Sequence, residues 1–385
     1  MIAPYFKALT FLLALSLSAG VSAQQTLIPA PPEIAASSYI LMDSESGRII
    51  VEHNSDERLP PASLTKMMTA YITERELDQG RVAMDDPVMI SVNAWRTGGS
   101  RMFVREGTTV RLEDLLKGII IQSGNDASVA VAEHIAGSES AFADIMNQQA
   151  QLLGMNNTRF QNATGLPAAD HYSSARDLAI LAKRTINDFP QNYDLYAQKY
   201  FTYADIRQPN RNSLLWRDDS VDGLKTGHTE EAGYCLVASA KRDGMRLVAV
   251  VMGTRSEKAR AQEVQKLLNY GFRYYETHRL FAEGQKLMDS RVWGGTEEEF
   301  GLGLDEAVYV TIPRGSKPEL QSSLDVEAVI EAPVTAGQEY GTVQVKLGET
   351  VLVDKPLLAL QSVEEAGLFK QLWDKIKLFF SQLFS

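Results

Sequence analysis

Across 385 residues the chain holds one cysteine, Cys235, and only five histidines. A single thiol closes no internal disulfide, so stability has to come from an apolar core rather than a covalent framework. Cys235 lies in Gly-Tyr-Cys-Leu-Val-Ala, a strand-like run with no base beside it, and reads as a buried structural thiol rather than a nucleophile. The histidines, at 53, 134, 171, 228 and 278, never take the His-Glu-x-x-His spacing, so zinc peptidase chemistry is not indicated. No metal or organic cofactor is called for, and His134 in Ala-Glu-His-Ile-Ala reads as a helix packing residue. Gly-x-Ser-x-Gly is missing too, against an α/β-hydrolase with a Ser-His-Asp triad. Positive charge is in deficit: 38 Lys and Arg against 49 Asp and Glu leave a net charge of −11. Nucleic acid wants a basic face, so the overall balance argues against that partner.

What is present is an ordinary globular composition, 44% hydrophobic and 23% charged, long enough for two domains or one large domain with an appendage. The first 23 residues stand apart: Lys7 is the lone charge, residues 8–19 are apolar, and Val21-Ser22-Ala23 precedes Gln24. That run falls short of the about 20 apolar residues a spanning helix needs. It reads as a secretory signal peptide, cleaved after Ala23, which exports the mature protein. Residues 24–34, rich in proline and alanine, read as a leader.

Residues 38–42 and 49–52 flank Asp43-Ser44-Glu45-Ser46-Gly47 as a β-hairpin, and a helix follows from 63 to about 79. Residues 112–121 form an apolar helix broken at Ser123-Gly124-Asn125; further helices are expected over 126–135, 141–153 and 174–186. Two apolar runs around Asp243-Gly244 make a second hairpin, and a long helix is expected over 258–280. Strands at both ends with helices between imply one sheet assembled from distant parts of the chain and covered by helices. Beyond a boundary at 283 lie short β-type runs at 307–312, 326–330, 341–347 and 350–353. They make a small all-β domain over 284–361, a spacer or interaction module. Residues 362–385 close the chain as an amphipathic helix. Leu368, Phe369, Leu372, Trp373, Ile376, Phe379, Phe380, Leu383 and Phe384 share one face, and Lys370, Lys375 and Lys377 lie opposite, with Leu378 the exception. Aromatics opposite lysines describe a helix lying in a membrane surface; a terminal helix docked on the protein's own core is the competing reading.

The rest is organised around Pro60-Pro61-Ala62-Ser63-Leu64-Thr65-Lys66. Prolines admit a helix start, and Ser63 and Lys66, three residues apart, share its first-turn face. A neutral lysine there can take the serine's proton and make it a nucleophile; an N-capping serine before a surface lysine gives the same pattern. Two more short motifs follow in order, Ser123-Gly124-Asn125 and Lys225-Thr226-Gly227. A turn or helix cap explains each alone. Ser91-Val92-Asn93 also fits Ser-x-Asn, but Ser123 interrupts a buried helix, where an idle polar break is costly.

Taken together, the three motifs resemble the penicillin-binding protein and serine β-lactamase superfamily. The runs 61–69, 123–127, 162–167 and 222–229 are similar to the low-molecular-mass D-alanyl-D-alanine carboxypeptidases, and the resemblance covers nearly the whole chain. Gly124 stands where class A β-lactamases carry aspartate. The resemblance implies an α/β (α+β) transpeptidase-like domain over 35–283, with a five-stranded antiparallel sheet and helical layers. It implies Ser63 as nucleophile, Lys66 as its base with Lys225 as the cation that depresses its pKa, Ser123 as proton donor to the leaving amine, and Asn125 holding Lys66 and substrate. Backbone amides of Ser63 and His228 would hold the oxyanion, Gly227 would leave space beside Lys225, and Thr226 and Arg260 would grip the substrate carboxylate. Expected partners are peptidoglycan stem peptides ending in D-Ala-D-Ala, β-lactams and a membrane surface, at the periplasmic face of the inner membrane. A serine β-lactamase and a non-catalytic wall-binding protein remain the alternatives.

Overall fold

Residues 247–252 alternate strictly between two apolar cores. Val248, Val250 and Met252 enter one, while Leu247, Ala249 and Val251 enter the other. Successive side chains on a strand point to opposite faces, so this strand is buried on both. The computed structural model describes residues 28–383. The signal peptide expected at 1–23, the start of the leader, and Phe384 lie outside the described residues.

The strand Met245–Thr254 is the centre of a five-stranded antiparallel sheet. From one edge the order is Ile49–His53, Ser38–Asp43, Met245–Thr254, Gly233–Arg242, Val221–Thr229. The first hairpin and the last three strands, far apart in sequence, thus share one sheet. Over its inner face pack Lys66–Asp78, Asn125–Ala136, Glu139–Leu152 and Ala175–Asp188, contributing Met67, Val129, Phe142 and Leu178 to that core. Helix Glu257–Tyr274 covers the outer face through Val264, Leu267 and Leu268. Leader residues Ile28 and Ile34 pack against the same outer core, and Pro29 O accepts from the Tyr270 hydroxyl at 3.0 Å.

Three elements differ from expectation. The helix expected over 258–280 ends at Tyr274, because Tyr275–Phe281 pairs antiparallel with Val308–Pro313 instead. The branched and aromatic residues of that stretch found a cross-strand partner that local periodicity does not reveal. The strand expected at 326–330 lies earlier, at Leu320–Val326, held by pairing with Glu339–Leu347. The helix expected from residue 63 opens as a 3-10 turn, Ala62–Thr65, before the α-helix begins at Lys66.

Beyond Tyr274, a second five-stranded sheet runs in the order Lys286–Arg291, Glu299–Gly303, Thr350–Ala359, Glu339–Leu347, Leu320–Val326. It encloses its own cores around Phe300 and Val343. The separate two-stranded sheet of Tyr275–Phe281 and Val308–Pro313 is hydrogen-bonded to the first hairpin: Thr277 Oγ1 donates to Asp43 Oδ2 at 2.6 Å, and Arg48 Nη1 to Thr311 O at 2.5 Å. The last element is the helix Leu368–Leu383. It meets the β unit through its polar side: Gly294 N donates to Asp374 Oδ2 at 3.2 Å and Lys370 Nζ to Thr296 O at 3.0 Å. Leu378, the apolar exception on that side, lines the crevice with Trp293. The apolar face points away, with Phe369 93% and Phe379 62% exposed. Among the described residues no helix is long and apolar enough to cross a membrane.

Candidate active site

Three pieces of backbone meet above the end of strand Val221–Thr229. The first is the turn Ala62–Thr65. Ala62, at φ 48°, occupies the left-handed region that a side chain disfavours by about 1–2 kcal/mol. Such strain collects at functional sites. Here it precedes Ser63, the half-buried residue between buried Ala62 and Leu64. One turn on, Lys66 is 1% exposed and its Nζ stands 3.2 Å from Ser63 Oγ.

The second piece is the break at 123–125. Leu112–Lys117 is α-helical, Gly118–Gln122 widens into a π-turn, and Ser123 takes φ 63°, ψ 35°. Helix Asn125–Ala136 then restarts. The break aims Ser123 Oγ at Lys225 Nζ, 2.9 Å away, and Asn125 Oδ1 at Lys66 Nζ, 2.6 Å away. Asp126 holds the facing loop: its carboxylate accepts from the backbone N–H groups of Met102, Phe103 and Val104 at 2.9–3.2 Å. Ser91, which fits the same Ser-x-Asn pattern, only caps the short helix Val92–Arg96, accepting from Ala94 N at 3.0 Å.

The third piece is the strand itself. Lys225 is 3% exposed, with Nζ also donating to Thr226 O at 2.9 Å. Thr226, Gly227 and His228 line a cleft of about 280 Å³ with Ser63, Ser123 and Arg260. A Cβ on Gly227 would come within 2.9 Å of Pro61 O, so only glycine lets the strand pass this close to the serine turn. Arg260, 4% exposed, donates to Gly227 O at 3.3 Å and pairs with Glu257 at 2.8 Å. His228 stacks on Tyr234 at 4.0 Å.

Lys66 has three partners: Ser63 Oγ, Asn125 Oδ1 and Thr164 O. Two are carbonyl oxygens that can only accept; the serine hydroxyl alone can donate. A neutral amine satisfies both carbonyls with its two N–H bonds and turns its lone pair to Ser63. Burial lowers the Lys66 pKa from 10.5 to about 7, aided by the charge of Arg211. Burial, then the charges of Lys66, Arg211 and Arg260, also hold Lys225 well below its ordinary value. The charge of Arg211, which sequence reasoning did not consider, therefore adds to burial at both lysines. Two carbonyl acceptors on Lys66, an amine lone pair left for the Ser63 hydroxyl and a second serine–lysine pair make an arrangement able to ionise a serine and return its proton to a leaving group.

Sequence reasoning gave no role to Arg211 or to the 162–167 loop. Arg211 follows strand Ile206–Pro209 in an irregular stretch with no motif around it, and only the folded chain brings it to the cleft. In the loop, Asn162 Oδ1 accepts from Thr164 N and Gly165 N, at 3.1 and 2.7 Å, which fixes the Thr164 carbonyl that meets Lys66. The Asn-Ala-Thr-Gly run was the available signal.

A serine hydrolase whose cleft holds two serine–lysine pairs is the class that this fold and cleft define. The chain belongs to the D-alanyl-D-alanine carboxypeptidase family, whose sequence pattern matches residues 25–256. The pattern of the penicillin-binding protein 5 C-terminal domain matches residues 275–365. The chain is 43% identical to D-alanyl-D-alanine carboxypeptidase DacC of Escherichia coli (strain K12) over 94% of its length and 92% of that protein's. With DacA of the same organism it shares 44%, over 94% and 91%. Penicillin binding protein 5 from Haemophilus influenzae superposes with a TM-score of 0.84 at 41% identity, over 88% of this chain and all (100%) of that one. Penicillin-Binding Protein D2 from Listeria monocytogenes in the ampicillin bound form superposes at 0.58 with 29% identity, over 63% of this chain and 100% of that one.

Proposed function

We propose that the protein is a serine-type D-Ala-D-Ala carboxypeptidase that removes the terminal D-alanine from peptidoglycan stem pentapeptides. Neutral Lys66 takes the Ser63 proton as Oγ attacks the carbonyl carbon of the penultimate D-alanine. Backbone amides of Ser63 and His228 receive the oxyanion. The C–N bond then breaks as Ser123, bonded to Lys225, passes its proton to the departing D-alanine amine and recovers one from the Lys66 ammonium, which leaves Lys66 neutral and an ester on Ser63. Water cleaves the ester and restores the hydroxyl. Asn125 holds Lys66 and the substrate amide, while Thr226 and Arg260 receive the free carboxylate beside Gly227. The observation that carries this reading is Lys66 itself: buried, near neutral pH in its pKa, and 3.2 Å from Ser63 Oγ.

The same reading makes β-lactams acylating inhibitors. It divides the chain into a signal peptide (1–23), leader (24–34), catalytic domain (35–283), β spacer (284–361) and membrane-anchoring helix (362–385), on the periplasmic face of the inner membrane. Support for the anchor is the docking of the terminal helix by its polar side with its aromatics outward. Labelling with a fluorescent penicillin and mapping the adduct tests the site: modification at Ser63 is expected, and modification elsewhere or none defeats it. Release of D-alanine from a pentapeptide distinguishes a carboxypeptidase from a β-lactamase and from a wall-binding protein.

A further inference from the structure

Beside the cleft lies a further cavity, of about 620 Å³, that the chemistry above leaves unused. Arg211 and Glu257 stand in the walls of both. Gln122 lines the cavity, and its neighbour in sequence, Ser123, lines the cleft. These shared points give the cavity a place in the reaction. The leaving residue has its amine at Ser123 and its carboxylate at Arg260, which is paired with Glu257 at 2.8 Å. Both groups border walls that continue into the cavity, so the side chain of the leaving residue is the part of the substrate that can enter it. The methyl group of D-alanine leaves such a space empty.

The cavity gathers positive charge on a chain whose net charge is −11. Arg211, Arg217 and Lys258 line it, all three exposed, and among the described residues none has an ion-pair partner. The carboxylate in the wall, Glu257, is already engaged by Arg260. Three cations around one concavity repel each other until an anion joins them. Gln122 adds an independent sign of a ligand. It is 6% exposed, and its Oε1 is buried with no hydrogen-bond partner. A buried amide left unbonded is costly, and an occupant of the cavity would relieve that cost. Trp216, 41% exposed and set edge-on to Tyr200 at 5.8 Å, supplies an apolar wall for a methylene stem.

We propose that this cavity is a leaving-side subsite that takes the side chain of a terminal D-residue ending in a carboxylate. Arg211, Arg217 and Lys258 receive the carboxylate, and the Gln122 amide, turned about its last torsion, offers it an N–H. The proposal rests on the carboxypeptidase reading and adds to it the class of residue released.

The test measures release of the terminal residue from four synthetic peptides, alike up to the penultimate D-alanine and ending in D-alanine, D-glutamate, D-glutamine or D-lysine. D-Glutamate and D-glutamine have nearly the same shape, so their ratio reads charge. Expected kcat/KM for D-glutamate exceeds that for D-glutamine by about fivefold, the upper range for an exposed ion pair, and D-lysine falls below both. Arg217→Glu combined with Lys258→Glu reverses the order of D-glutamate and D-lysine, a change that loss of folding cannot produce. Equal values for the three longer residues, release of D-alanine alone, or a variant that scales every peptide alike overturns the subsite. Penicillin labelling and D-alanine release separate the two claims. An adduct at Ser63 and release of D-alanine, with indifference to the longer side chains, sink the subsite alone; failure to release any terminal residue sinks both.

Discussion

Lys66 and Asn125 are joined by a 2.6 Å hydrogen bond across 59 residues of sequence. The bond occupies one of the two N–H groups a neutral lysine has, and Thr164 O occupies the other. What remains for Ser63 is the lone pair, so the asparagine sets which way the amine can react.

A pH profile follows. With Lys66 lowered to about 7, the ammonium prevails below that value and cannot take a proton. Penicillin acylation rates should rise about tenfold per pH unit up to 7 and level off above it. Asn125→Asp puts a carboxylate against the amine, favours the charged form, and should move the profile to higher pH by about 1 unit or more. Rates that change without a shift of the profile would argue that Lys66 is not the base.

Gly165 supplies a sharper test of how the site is held together. Its φ is +81°, and a Cβ there would clash with Ala62 O, on the residue before Ser63. Gly154 has a similar φ, +76°, with nothing within 4 Å. Gly154→Ala should cost only the backbone strain, about 1–2 kcal/mol in denaturant unfolding. Gly165→Ala should cost clearly more and slow acylation, because the loop must leave the serine turn and take the Thr164 carbonyl from Lys66. Equal costs in the two variants would mean that this contact is slack.

How much of this was legible beforehand varies with the range of the interaction. Ser63 and Lys66 stand three residues apart, a spacing that marks a site only when the two later motifs follow in order; Ser123 is marked by breaking an apolar helix. One sheet assembled from distant parts of the chain was readable from apolar runs between turn residues, while its count of five strands came with the family resemblance. Tyr275–Phe281 was not, since its pattern suits either a helix end or a strand and only its pairing with Val308–Pro313 decides. Arg211 was invisible for a related reason. It acts through charge at a distance from an irregular segment, and no local pattern marks that.

Glu74, on the same helix as Lys66, offers a stability measurement. It is 0% exposed, accepts from the Tyr196 hydroxyl at 3.1 Å, and its Oε2 has no hydrogen-bond partner. Burial raises its pKa from 4.5 to about 8 despite the Tyr196 bond. A folded value above the unfolded one means the native state binds the extra proton between those two pH values. Its contribution is therefore complete below about 4.5 and is lost as pH rises through about 8. The Tm of the wild type should fall relative to Glu74→Gln across that window, and parallel Tm curves would refute the buried neutral acid.

The terminal helix separates two explanations of its own amphipathicity. A helix made to cap the β unit would bury Phe369, Trp373 and Phe380, yet these are 93%, 58% and 52% exposed. The contacts to the protein run instead through Asp374 and Lys370, which fix the helix with its aromatics outward. Apolar burial in a bilayer interface and attraction of Lys375 and Lys377 to anionic lipid would then act on opposite flanks of one helix. Replacing Phe369 and Phe380 with glutamate should abolish sedimentation with anionic vesicles and leave thermal unfolding unchanged, since neither ring packs on the protein. Asp374→Ala should do the reverse: vesicle binding persists, while the helix loses its anchor at Gly294 and its amide protection against hydrogen exchange in the absence of lipid. Vesicle binding that survives the double glutamate variant, or removal of residues 363–385, would leave the outward aromatics without a role at the membrane.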